Sequence, residues 1–157
     1  MAWQVFDHTA DLGIRVEAAT LPALFEEAAR ALAALLVEEP EAVPECREEA
    51  FALRAGDPAD LLFDWLHELL VAFELRRVLL SRTEVALEEP PAEAGPGRGP
   101  GAGPWAGVGA ALRARAWGAP YDPERHRPAR EVKAITYHGL DLRREADGWV
   151  AEVVVDV

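Results

Sequence analysis

The chain has 157 residues and a formal net charge of -12, and 50% of its residues are hydrophobic, which is enough to bury a single core. Its one cysteine, Cys46, excludes an intramolecular disulfide and a zinc site built from thiolates, and the acidic charge argues against direct binding to nucleic acid. Because no signal-peptide pattern and no apolar run of roughly 20 residues occurs, we expect one cytoplasmic domain over residues 1–157 that does not enter a membrane.

The first predicted elements are a strand and a helix. Apolar residues alternate with other residues over positions 12–19, which is the period of two of a strand with one buried face. Thr20 can cap the helix that follows, Pro22 suits its first turn, and apolar residues then recur at helical spacing up to Leu36. This helix is predicted to end before the sequence EEPEAVPE.

A second strand and a second helix are predicted next. The sequence EEAFALRA predicts a short strand, and GDPADLLFDWLHELL predicts a helix with Asp57 as its cap and Pro58 at its first position. The apolar face of this helix is expected to include Leu61, Leu62, Trp65, Leu66, Leu69 and Phe73.

The remainder of the chain is predicted to consist mainly of strands. The sequences RVLLS, TEVALEE and ALRARAW each predict a strand, and residues 131–157 predict two strands joined by a turn around Asp147 and Gly148. Residues from about 90 to about 107 are rich in glycine and proline and predict a flexible loop inside the domain. No GK[ST] sequence follows these glycines, so a phosphate-binding loop is not indicated.

Two helices placed between strands, followed by a terminal pair of strands, indicate an α+β protein. We expect a single-domain, two-layer sandwich in which two main helices pack on a mostly antiparallel or mixed sheet. No repeat with a period of about 20 to 50 residues occurs, so a solenoid or propeller is not indicated.

Two aspartates lie beside apolar strands that are far apart in the chain. Asp11 precedes the first predicted strand, and Asp156 follows three consecutive valines of the last one. If these strands are neighbours, the two carboxylates converge at one edge of the sheet, and hard divalent cations prefer such oxygen ligands. The alternative is that Asp11 caps a turn and that Asp156 lies in a frayed chain end.

Lys133 is the only lysine in a chain whose other basic residues, apart from histidine, are all arginine. Its presence suggests that a compact ammonium group is wanted at this position, because lysine and arginine are not interchangeable. The alternative is a chance placement in which the charge is simply solvated.

The other chemically reactive residues form no recognised catalytic pattern. The histidines His8, His67, His126 and His138 lack the close spacing of metal ligands. Ser81 lacks the glycine context of a hydrolase nucleophile, and Cys46 has no base in a recognised pattern. A metal-dependent hydrolase is therefore disfavoured.

Three motifs in order, DHTADLGIRV, EVKAITYH and the terminal VVVDV, resemble the archease family, and both predicted helices fall where that family has its helices. The resemblance spans nearly the whole chain and is weakest in the glycine- and proline-rich loop. It implies a protein cofactor rather than an enzyme. Such a protein acts with an RtcB-type tRNA-splicing RNA ligase and promotes guanylylation of the ligase and its multiple turnover in tRNA exon joining.

The resemblance also implies a metal site. The last aspartate of DHTAD, the penultimate aspartate and the terminal residue are the expected ligands, which are Asp11, Asp156 and Val157 here. The expected cofactor is a divalent cation, calcium in the first place, with magnesium and manganese as alternatives. The functional lysine of the VKAIT motif corresponds to Lys133.

Asp7 and His8 also match the first motif. We expect both to be neighbours that shape the acidic site rather than direct ligands. A charged His8 would weaken cation binding, so a neutral imidazole is expected when the metal is bound.

A second functional class remains open beside the ligase activator. The same resemblance has been taken to imply a chaperone-like modulator of a tRNA-modifying enzyme, such as a tRNA methyltransferase. Suppression of aggregation of such an enzyme, without an effect on a ligase, would favour this alternative.

Overall fold

The computed structural model describes residues 2–8, 11–88 and 110–157, and the side chains of residues 6–8 are outside the description. The glycine- and proline-rich loop predicted at about 90–107 also lies outside the described residues. No helix in the described part of the chain is long and apolar enough to cross a membrane.

The described residues form seven strands, two α-helices and one short 3-10 helix at Pro40–Ala42. The α-helices are α1 (Leu21–Leu36) and α2 (Pro58–Leu75). The strands are β1 (Ala2–His8), β2 (Asp11–Ala18), β3 (Arg47–Ala55), β4 (Val78–Glu88), β5 (Ala110–Pro120), β6 (Ala134–Glu145) and β7 (Gly148–Asp156).

Both α-helices begin at the caps that the sequence predicts. The Thr20 side chain accepts a hydrogen bond from the Ala23 backbone N–H at 3.3 Å, and the Asp57 carboxylate accepts one from the Asp60 N–H at 2.8 Å. Each cap satisfies a donor that the first helical turn leaves unpaired. Helix α1 ends at Leu36, before the EEPEAVPE segment, as predicted.

The strands pair in two antiparallel sheets. The first has the strand order β1-β2-β7-β6 and the second has the order β3-β5-β4. The prediction of an α+β fold, with two main helices packed on antiparallel strands, is confirmed, although the strands form two sheets and not one.

Two details of the strands differ from the prediction. The two strands predicted at RVLLS and TEVALEE form the single strand β4, whose register shifts between Leu80 and Arg82. Strand β1 was not predicted; its described side chains, at residues 2–5, are all exposed at the edge of the sheet and do not alternate in burial.

The core lies between the helices and the two sheets. Helix α1 contacts β2 of the first sheet and β4 of the second, which explains why it is buried on most of its circumference. Among the described residues, the largest fully buried side chain belongs to Trp65. Its indole Nε1–H donates to the Phe25 carbonyl oxygen at 3.0 Å, and its ring meets the Phe51 ring edge-to-face at 5.3 Å. This hydrogen bond ties α2 to α1.

Candidate functional site

One end of the first sheet carries most of the residues that the sequence singled out. His8 on β1 is the register partner of Asp11 on β2, and Asp11 is the partner of Asp156 on β7. Asp156 is in turn the partner of Ala134 on β6. We call the row formed by His8, Asp11, Asp156 and Ala134 the strand-end row.

Asp11 and Asp156 face each other directly across β2 and β7, and both side chains are half-buried. Opposed residues of an antiparallel pair have Cβ atoms about 5 Å apart, and like charges in such a pair destabilise it. Neither carboxylate has an ion pair or a side-chain hydrogen bond within the described residues. Among the described side chains, the pair therefore brings two carboxylates together at this edge without a cationic partner.

The structure bears on one of the two structural alternatives raised for these aspartates from the sequence, the frayed chain end at Asp156. Asp11 is the first residue of β2, and the turn that it would cap, at residues 9–10, lies outside the described residues. Asp156 belongs to an inner strand with a partner on each side, so this chain end is held within the sheet.

Lys133 lies immediately beside this pair. Its backbone N–H donates to the carbonyl oxygen of Asp156 at 2.8 Å, which fixes the residue next to the end of β7. Its side chain is exposed and makes no ion pair with any described residue. The backbone of Lys133 is thus anchored beside Asp156 while its side chain is exposed.

Burial of one face of each strand determines the register that opposes the two aspartates. Ile14 on β2 and Val153 on β7 are partners on the core face, and both are almost fully buried. A slip of one residue would move these side chains to the outer face. On that outer face Arg15, which the sequence did not single out, pairs with Glu152 at 3.0 Å and supports the same register.

For the remaining predicted site residues the structure gives the position in the chain and the strand register, but not every side chain. Val157 follows Asp156 directly and is half-buried. Asp7 pairs in backbone register with Leu12, one position away from the strand-end row, and the side chains of Asp7 and His8 are outside the description.

Within the described residues, no group of three or more His, Cys, Asp or Glu side chains is arranged to hold a metal ion. The described side chains of the strand-end row therefore contribute two carboxylates and no third side-chain ligand. The donor type fits a hard divalent cation, and the metal site remains a prediction.

Comparisons with known proteins match residues 3–157 to the Archease protein family (MTH1598/TM1083). Protein archease of Methanopyrus kandleri is 40% identical to this chain over 157 residues, with 100% of both chains covered. Protein archease of Thermococcus kodakarensis is 33% identical over 157 residues, covering 99% of this chain and 98% of that protein.

Two solved structures have a similar fold. The solution structure of Methanobacterium thermoautotrophicum protein 1598 aligns with a TM-score of 0.74 and 25% identity, covering 99% of this chain and 98% of the other. A crystal structure from Thermotoga maritima, described as an archease and possible chaperone, aligns with a TM-score of 0.58 and 18% identity. The alignment covers 98% of this chain and 96% of the other. With the family match over nearly its whole length and full-length relatives above 30% identity, this chain belongs to the archease family.

Proposed function

We propose that this protein activates an RtcB-type tRNA-splicing RNA ligase, promoting its guanylylation and multiple turnover, and that the strand-end row with Lys133 is the working surface. The observation that carries the proposal is the register that opposes Asp11 and Asp156 beside the anchored Lys133. In this role the chain acts as a protein cofactor of the ligase and not as an enzyme.

The proposed cofactor is a divalent cation held by Asp11, Asp156 and Val157, calcium in the first place, with magnesium and manganese as alternatives. Calcium takes about six to eight oxygen ligands, so backbone oxygens, water or the partner would complete the shell around two aspartates and Val157. The cation, when bound, supplies positive charge that relieves the repulsion of the facing carboxylates. The chain's own contribution is to hold those carboxylates at fixed register positions.

Electrostatics supports a basic protein partner. The net charge of the chain is -12, and a ligase that handles RNA must present positive surface to its substrate. Opposite net charges accelerate association and orient the partners on approach. The exposed Lys133 ammonium then contributes a local positive charge within an otherwise acidic edge, where it can bind an anionic group of the ligase.

The test is a time course of RNA joining with limiting ligase, GTP and metal, with and without this protein. We expect the wild type to stimulate turnover, and we expect Asp11→Asn, Asp156→Asn and Lys133→Ala to lose most of that stimulation. Matched controls are Asp147→Asn in the turn at the other end of β7 and Arg130→Ala near Lys133, both at exposed positions. Both control variants should stimulate ligase turnover as the wild type does.

A binding measurement separates the cation from the partnership. Calcium should raise the melting temperature of the wild type and of Asp147→Asn, but not that of Asp11→Asn or Asp156→Asn. Absence of stimulation by the wild type would refute the proposed function. Stimulation that survives both folded aspartate variants would instead refute the role of the strand-end row and leave the partnership standing.

A second candidate is a chaperone-like modulator of a tRNA-modifying enzyme, such as a tRNA methyltransferase. The observation that favours it is the edge strand β1, where the side chains of Trp3 and Val5 are 37% and 38% exposed. An apolar edge strand can pair with extended segments of another chain. Suppression of methyltransferase aggregation that is lost in Trp3→Ser, together with no effect on the ligase, would favour this candidate.

A further inference from the structure

Three aromatic side chains stack on the surface where α2 meets β6, and Tyr137 is three residues along β6 from Ala134 of the strand-end row. The rings of Phe63 and Tyr137 are stacked with centroids 3.8 Å apart and planes 14° apart. The His67 ring lies nearly parallel to that of Phe63 at 6.0 Å. Tyr137 is 58% exposed although it is a large aromatic residue. We call Phe63, His67 and Tyr137 the aromatic patch.

Carboxylates at the start of α2 and at its cap act electrostatically on Tyr137. Asp57, Asp60 and Asp64 follow one another at helical spacing, so they lie along one side of the helix. Partial desolvation raises the pKa of Tyr137, and the negative charges of Asp64 and Asp60 raise it further. Desolvation and the charges of Asp57 and Asp64 likewise raise the pKa of Asp60. Among the described residues, the charges that act on these two groups are therefore carboxylates.

The chain covers two of its other aromatic faces with its own arginines. The Arg82 guanidinium lies 3.9 Å from the centroid of Trp117, and that of Arg144 lies 5.8 Å from the centroid of Trp149. Within the described residues, no arginine or lysine lies over Tyr137. The described residues therefore leave Tyr137 exposed, and carboxylates are the charged groups near it.

We propose that the aromatic patch docks an arginine side chain presented by a basic segment of a partner protein. The guanidinium would stack on the open face of Tyr137 while its N–H groups donate to the carboxylates of Asp60 and Asp64. A planar, delocalised cation suits both contacts, because it stacks on rings and binds carboxylates with paired hydrogen bonds.

Two other occupants fit this surface less well. Single-stranded nucleic acid also stacks on exposed aromatic rings, but its phosphates would be repelled by the carboxylates that flank Tyr137. A lysine would also be attracted by the carboxylates, but its ammonium group is not planar and cannot stack on the Tyr137 ring. The inference does not depend on the identity of the partner, so it stands apart from the proposed ligase activation.

The test uses a blocked glycine-rich peptide with two arginines and the same peptide with neutral citrulline in their place. Titration into the isotopically labelled protein is followed by the amide NMR shifts of Phe63, Asp64 and Tyr137, and the fitted curves give the affinity. We expect the arginine peptide to bind at these residues, the lysine form to bind more weakly, and the citrulline form not to bind.

Variants separate a built site from general attraction to an acidic protein. Tyr137→Leu keeps an apolar side chain against Phe63 but removes the π face, and it should weaken arginine binding about 3-fold to about 30-fold. Tyr137→Phe should bind nearly as well as the wild type. The double variant Asp60→Asn/Asp64→Asn should also weaken binding.

The charge control is Glu39→Gln/Glu41→Gln, which removes two carboxylates at exposed positions outside the patch. Equal weakening by both double variants, or equal affinity of folded Tyr137→Leu and Tyr137→Phe, would overturn the proposal. So would a hexauridylate oligonucleotide that shifts the same amides in preference to the arginine peptide. Melting curves of all variants establish that each one is folded.

Discussion

Gly118 on β5 pairs with Leu80 on β4, beside the register shift between Leu80 and Arg82. A Cβ atom at this position would lie 1.8 Å from the Leu79 carbonyl oxygen and 2.9 Å from the Leu80 Cα. Both atoms belong to the backbone, so no side-chain rotation can relieve the overlap. The bulge in β4 and the glycine in β5 therefore depend on each other.

Gly118→Ala should lower the free energy of unfolding by about 3 kcal/mol, at the upper end of the usual cost of overpacking. The measurement is urea unfolding followed by tryptophan fluorescence. The control is Gly56→Ala, because a Cβ there meets only the Asp60 Oδ2 atom, at 4.0 Å. A loss no larger in Gly118→Ala than in Gly56→Ala would mean that β4 moves away from β5 at little cost.

Single residues also show how far the candidate site follows from the sequence. The positions of Asp11 and Asp156 beside apolar strands predicted that they would meet, and the pairing of β2 with β7 brings them together. The proximity of Lys133 to Asp156 is seen in a backbone hydrogen bond from the residue just before β6 to the last residue of β7. The spacing of residues along the chain does not predict that hydrogen bond. The expectation that Lys133 lies near the site therefore came only from the family resemblance.

At the scale of elements, Asp57 has two opposing effects on the stability of α2. The Asp57 carboxylate caps the helix through the Asp60 N–H, and its charge is favourable at the positive end of the helix dipole. The same charge repels the carboxylate of Asp60, whose pKa is raised by desolvation first and by Asp57 and Asp64 next. The cap therefore stabilises the helix less than an isolated aspartate would.

Replacement of Asp57 separates these contributions. Asp57→Ala removes the capping acceptor and should cost about 1 kcal/mol of stability. Asp57→Asn keeps an acceptor and removes the repulsion, so it should leave the stability within about 0.5 kcal/mol of the wild type. Urea unfolding at neutral pH and low salt measures both. A cost for Asp57→Asn as large as that for Asp57→Ala would mean that the charge, and not the hydrogen-bond acceptor, supplies the cap's stabilisation.

The elements that the sequence predicted correctly carry strong local signals. Helices α1 and α2 have a capping side chain and a proline at their first turn, and β2 alternates in burial over most of its length. Strand β1 was not predicted, and its described side chains are exposed at the edge of the sheet. The division into two sheets depends on which strands pair, and some of the paired strands are far apart in the chain. The period of apolar residues along one strand does not predict its partner.

At the scale of the whole molecule, excess negative charge opposes folding while the ion pairs compensate it only weakly. The net charge is -12. Several ion pairs join well-exposed side chains, such as Arg54 with Glu88 at 3.9 Å and Arg127 with Glu38 at 3.8 Å. Exposed pairs contribute little to stability, whereas repulsion among many like charges acts over the whole surface at low salt.

Raising the ionic strength from about 0.01 M to about 0.15 M with sodium chloride should therefore increase the urea midpoint, because the screening length falls from about 30 Å to about 8 Å. The slope of the free energy against urea serves as the control and should stay constant. Chelator in all samples excludes an effect of divalent cations. A midpoint that falls with salt would show that the ion pairs outweigh the repulsion.

The pairing of β2 with β7 also affects the order in which this protein can fold during synthesis. Arg15 and Glu152, which join these strands, are 137 positions apart in the chain. The second sheet, by contrast, is built entirely from β3, β4 and β5, which the ribosome completes earlier. The nascent chain can therefore assemble the second sheet while β2 still lacks its inner partner. The opposed carboxylates come together only when β7 is added, so the proposed working surface is among the last parts of the protein to form.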